Sequence, residues 1–290
     1  MRVASSGHLV FSITMIGLGI VGLLYRDFVP VWNPVPASIP GRGVFVYLGP
    51  LISLASGIGL LLPRVATIAT RLLLTTLLLW LLLFRLPNFL LTSPFEACWS
   101  VFPLAVMLAA TWVLYVWFAA DWDRQHLRFV CGDNGLRIAH ALYGFSLIFF
   151  GSAHFIDMKD TLSLVPNWLP GHAFWAYFTG SAFIAAGVAV LAGPRARLAA
   201  FLSALQIGLF LLLVWVPILA AGSRVRFQWS EAILNAALLA AAWVVADSYQ
   251  NTPWLVPDTQ QSVGNHDLGN HQLEGAASPS LLGTGDEELR

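Results

Sequence analysis

Apolar residues in this chain fall into eight long blocks, at about 9–25, 44–62, 65–85, 99–120, 138–156, 173–192, 198–220 and 229–246. A helix rises about 1.5 Å per residue, so roughly 17 to 25 apolar residues are needed to cross a hydrocarbon core of about 30 Å. Each block is therefore read as a membrane-crossing helix. None shows the polar face of a helix lying on a soluble core. The first block follows Arg2 and resembles a secretory leader, but no small-residue cleavage site stands at the right distance, so it is expected to be retained.

Composition strengthens this pattern. Of 290 residues, 58% are hydrophobic and only 10% charged, against about 25% charged in an ordinary soluble domain. Mean hydropathy is +0.73. The expected fold class is an all-α integral membrane protein of about eight transmembrane helices, in contact with a lipid bilayer.

The chain also resembles itself. An offset of 130 residues pairs Ile39-Pro40-Gly41 with Leu169-Pro170-Gly171, Tyr47 with Tyr177, Ala55 and Gly57 with Ala185 and Gly187, Pro87 with Pro217, and Trp99-Ser100 with Trp229-Ser230. Shifts of one or two residues add Pro63-Arg64 with Pro194-Arg195, His8 with His140 and Gly19 with Gly151. Leucine matches between apolar helices mean little, but Pro, Gly and Trp matches in the same order point to tandem duplication of a four-helix unit. The expected layout is a first unit over 1–122, a linker over 123–137, a second unit over 138–248 and a disordered polar tail over 249–290. Four crossings is an even number, so both units enter from the same side. The repeat would be parallel, unlike the inverted repeats of many transporters.

Loop charges give a weak orientation. Arg2, Arg64, Arg71, Arg124, Arg128, Arg137, Arg195 and Arg197 fall on the amino-terminal side, and Arg26, Arg42, Arg85, Lys159, Arg224 and Arg226 on the other. The excess of cationic residues places both termini in the cytoplasm. On the opposite side each unit has a loop rich in Pro and Trp, at 28–36 and 165–171, expected to lie at the headgroup zone and partly cap its bundle. Arg85 is expected to snorkel outward, with Glu96 available as a counter-ion.

The second unit carries Gly151-Ser152-Ala153-His154-Phe155, Val165-Pro166-Asn167-Trp168-Leu169-Pro170, Tyr177-Phe178-Thr179-Gly180 and Ala185-Ala186-Gly187, followed by a short Pro-Arg turn. This succession resembles the DoxX/DoxD-like family of four-helix membrane proteins. The first unit carries a degenerate version, with Gly22 or a neighbour where His154 stands in the second. The resemblance implies a bacterial cytoplasmic-membrane protein, with some relatives linked to quinone-coupled sulfur or thiol oxidation. Cys98 and Cys131 fall in loops on opposite sides and there is no Cys-x-x-Cys, so a dithiol relay within one chain has no residues to run on. Redox work would then pass through a bound quinone or a membrane redox partner.

Polar side chains inside apolar helices are costly and mark sites. His154 and Asp157 lie at the outer end of the fifth block, Gln206 near the middle of the seventh with Ser203 one turn before it, and Glu231 and Asn235 on one face of the eighth. The five residues His154, Asp157, Gln206, Glu231 and Asn235 form a candidate polar pocket descending from the outer face to the midplane of the second unit. The first unit has Val101, Ala105 and Thr76 opposite Glu231, Asn235 and Gln206. Each residue also has a plainer reading: Gln206 and Asn235 as hydrogen-bonding glue between helices, His154 and Asp157 as an interfacial pair, Glu231 as a charge favoured at a helix start.

No catalytic residue stands out. His154, Asp157 and Glu231 do not have the spacing of a metal-ligand motif, and no metal is expected. No phosphate-binding loop or basic stripe suggests nucleotide or nucleic acid. His266 and His271, five apart in the tail, are read as solvated residues. Three functions remain open: an accessory subunit binding a quinone or redox partner, a path for a small solute, or a structural or stress-linked protein without chemistry.

Overall fold

The computed structural model describes residues 4–33, 35, 36, 39–252 and 254. The expectations for the tail beyond 254, including His266 and His271, lie outside the described residues. Among the described residues every regular element is helical, and eight helices are long and apolar enough to cross a membrane. They are α1 (Ser6–Tyr25), α2 (Arg42–Leu61), α3 (Ala66–Leu90), α4 (Pro94–Phe118), α5 (Asp133–Ile156), α6 (His172–Ala192), α7 (Ala196–Ala220) and α8 (Arg226–Asp247). The architecture is that of a multi-pass membrane protein.

The eight helices belong to one compact unit. α4 and α8 touch each other at its centre, and α4 is the most enclosed of the eight. Around this pair the contacts repeat: α1 packs on α2 as α5 packs on α6, α2 on α3 as α6 on α7, α3 on α4 as α7 on α8, and α4 on α5 as α8 on α1. The α8–α1 seam is fastened at both ends. Gly7 N donates to Asp247 Oδ2 at 2.7 Å, and Arg226 pairs with Asp27.

The glycines matched along the sequence are the points of closest helix approach. A Cβ on Gly19 would lie 2.8 Å from Pro50 O of α2, and one on Gly151 would lie 2.6 Å from Ile184 Cγ1 of α6. Gly57 and Gly187 make the reciprocal contacts, against Ser12 O and Gly144 O. Small residues let two backbones meet where lipid supplies no hydrophobic drive. Both α3 and α7 widen into a π-helical turn, at Leu81–Arg85 and Leu211–Trp215, 130 residues apart and each followed two residues later by proline (Pro87 and Pro217). A proline removes an amide donor and crowds the preceding turn, which a wider turn accommodates.

The two Pro/Trp loops differ. In the first half a 3-10 turn, Pro30–Trp32, sinks into the bundle: Trp32 is fully buried, its Nε1 donates to Ser53 Oγ at 2.8 Å, and Trp80 Nε1 donates to Trp32 O. This corrects the expectation of a headgroup position for that loop. The cause is a set of partners waiting on α2 and α3, which makes burial of the indole N–H affordable. In the second half Trp168 is 67% exposed. Arg85 does not snorkel either. It is 4% exposed, and its guanidinium donates to Ser100 O (2.9 Å), Val31 O (2.7 Å) and Pro30 O (3.4 Å), with no acid beside it. Glu96 instead caps its own helix with Ser93. Cys98 lies in the first turns of α4, not in a loop, and both cysteines are free thiols.

Candidate functional site

His154 sits in the last turn of α5. Its Nδ1 is 2.7 Å from Phe150 O, an atom that only accepts, so the ring carries a proton on Nδ1 and a neutral ring offers the Nε2 lone pair. The ring packs on Phe183 of α6 at 5.6 Å and Phe210 of α7 at 6.5 Å. Gly180 makes the room, since a Cβ there would be 3.0 Å from His154 Cβ. In the first half the exchange is reversed: Gly22 lies where His154 does, and Pro50, opposite Gly180, fills the gap. The volume is conserved while the polar group appears on one side only.

Asp157 forms the carboxy-terminal cap of α5, half-buried, its backbone N–H donating to Ala153 O at 2.9 Å. Gln206 ties α7 to α6 through Nε2, which donates to Thr179 O at 3.0 Å. Ser203, on the same face, is engaged by Tyr143 of α5 at 2.9 Å. These bonds spend much of the polar capacity of α7 on holding helices together.

On α8 the situation is different. Glu231 and Asn235 are one turn apart and both half-buried. Between them Ala232 packs on Val214 and Trp215, in the π turn of α7, with Phe210 and Leu164 against the same cluster. Asn235 Oδ1 is buried and has no hydrogen-bond partner. A buried carbonyl without a donor costs on the order of 1–3 kcal/mol. Among the described residues neither Glu231 nor Asp157 forms an ion pair, and no hydrogen bond joins any two of the five candidates. The arrangement is thus a set of acceptors around an apolar patch of α7, reached from His154 through Phe210 and from α8 through Ala232.

The sequence did not mark the buried polar centre of the first half. There Arg85, Asn88 and Ser100 interlock, Asn88 Nδ2 donating to Ser100 Oγ at 3.2 Å. Its space is filled by the chain's own Pro30–Trp32 turn. In the second half no tryptophan takes that place, and Leu164 alone reaches the cluster from the short helix Met158–Leu164. No family model, curated protein or solved structure matches this chain.

Proposed function

We propose that this protein is a DoxX-like membrane protein built by duplication of a four-helix unit, and that its second half binds a lipid-soluble ligand of the quinone class as an accessory subunit in a bacterial cytoplasmic membrane. The duplication is supported by the repeated helix contacts, the paired glycine crossings and the two π turns 130 residues apart. The observation that carries the ligand reading is the buried, unpartnered Oδ1 of Asn235. It lies one turn from Glu231 in a helix whose counterpart has Ala105 and Val101.

The donor and acceptor inventory narrows the ligand. Asn235 Oδ1, an ionised Glu231 and His154 Nε2 all accept, so they suit a ligand that donates, such as the hydroxyls of a quinol. Bound there, such a molecule would supply the electron chemistry that the two separated cysteines do not. The chain's own residues would orient it, with Phe210, Val214 and Trp215 as the apolar wall.

Native mass spectrometry of gently solubilised protein tests this reading, with Asn235→Leu and Glu231→Leu compared against wild type. Wild type is expected to retain a quinone-class molecule and both variants to lose about tenfold or more of it, the loss of one hydrogen bond to a buried partner. Equal retention by all three, or none by wild type under conditions that keep annular lipid, would overturn it.

A further inference from the structure

The connection between the two halves is folded rather than open. After α4 the chain forms two short helices, Asp121–His126 and Arg128–Cys131, before α5 begins. Asp123 holds the first in place. It is fully buried and accepts from Arg71 Nη2 (2.5 Å), Tyr115 OH (2.9 Å) and Ala120 N (2.9 Å). Trp112 Nε1 donates to Val130 O at 3.0 Å and holds the second. The segment is thereby fixed to α3 and α4 at the membrane face where α1 begins, since an even number of crossings separates them.

The side turned away from these anchors has a cavity of about 430 Å³ lined by Asp121, Arg124, Gln125 and Arg128. Arg124 Nε donates to Ala119 O at 3.1 Å, which aims the guanidinium and leaves its Nη groups available. Arg124 and Arg128 are four residues apart and both exposed. The surroundings are apolar for a surface: Trp122 is 57% exposed and Phe129 63%. Trp122 lies under the guanidinium of Arg71 on α3, whose neighbours Ile68 and Leu72 are also exposed on the outer surface of the bundle. Cationic groups beside exposed aromatics at a bundle end match the boundary between headgroups and acyl chains.

We infer that this cavity binds the phosphate headgroup of an anionic membrane phospholipid. Arg124 and Arg128 take the phosphate oxygens and the Gln125 amide adds a neutral donor. Trp122 and Phe129 sit among the upper acyl carbons. A soluble phosphate would meet the same guanidinium groups but would leave the aromatic rim in water, which is why a lipid is the occupant assigned. Asp121 opposes the charge and sets a limit on affinity.

The test is native mass spectrometry of the full chain released from nanodiscs containing equal phosphatidylglycerol and phosphatidylcholine. Wild type is expected to retain phosphatidylglycerol preferentially, Arg124→Gln/Arg128→Gln to lose that preference by about fivefold per guanidinium removed, and Asp121→Asn to increase it. Millimolar inorganic phosphate is expected to displace none of the lipid. No preference in wild type, or displacement by inorganic phosphate, would overturn the assignment. Should the double variant fail to fold, Asp121→Asn decides: unchanged retention counts against a phosphate at this cavity.

Discussion

Arg85 carries a formal charge into the bundle without an acid to meet it, and three backbone carbonyls do the neutralising work. Each such charge-assisted bond contributes on the order of 1.5–3 kcal/mol, which offsets the loss of hydration. Asp123 solves the opposite problem with a cation. Burial pushes its carboxyl up, but hydrogen bonds from Arg71, Tyr115 and the Ala120 N–H more than reverse that, and the net shift is below the usual carboxylate range. A depressed folded-state value means that the carboxylate contributes stability above the unfolded value of about 3.9, lost as pH falls through the folded one. Thermal unfolding in detergent should therefore show a midpoint that drops as pH is lowered below about 4. Asp123→Asn should lower the midpoint at neutral pH and flatten that acid limb. An unchanged acid limb would show that the Arg71–Asp123 pair does not set it.

At the scale of helices, the glycine crossings decide how near α1 approaches α2 and α5 approaches α6. A Cβ on Gly151 would meet Ile184 Cγ1 at 2.6 Å and Ile184 N at 2.9 Å, the latter a backbone atom that can move only with its helix. Gly151→Ala should cost about 1–3 kcal/mol by overpacking, read as a lower unfolding midpoint. Gly17→Ala, with nothing within 4 Å, should be neutral or gain up to about 1 kcal/mol of helix propensity. Equal effects of the two would refute the crossing. These helices were legible in the sequence because a block of about 20 apolar residues has one common solution, and the structured ends differ from the expected ones by a few residues, most at Arg85, where α3 continues to Leu90. The burial of Trp32 and Arg85 was not legible. Their partners are Ser53 and backbone carbonyls, and a carbonyl leaves no trace in residue identity. The five polar candidates were visible as exceptions to an apolar background, but that Gln206 is engaged by Thr179 while Asn235 Oδ1 is left without a donor depends on helix rotation, which composition does not encode.

For the molecule as a whole, the repeated contacts around α4 and α8 place each element of the second half opposite one of the first, so that differences become informative. His154 with Gly180 answers Gly22 with Pro50, and an exposed Trp168 answers a buried Trp32. That comparison rests on a parallel arrangement, in which both halves enter the membrane from one side. Labelling of single cysteines by a membrane-impermeant maleimide tests it most directly, in a chain with Cys98 and Cys131 replaced by serine. Asn33→Cys and Asn167→Cys, both exposed, should label from one face, and Arg64→Cys and Pro194→Cys, also exposed, only from the other. If either pair divides between the two faces, the halves are not parallel, and the assignment of a ligand site to the second half loses the counterpart on which it was built.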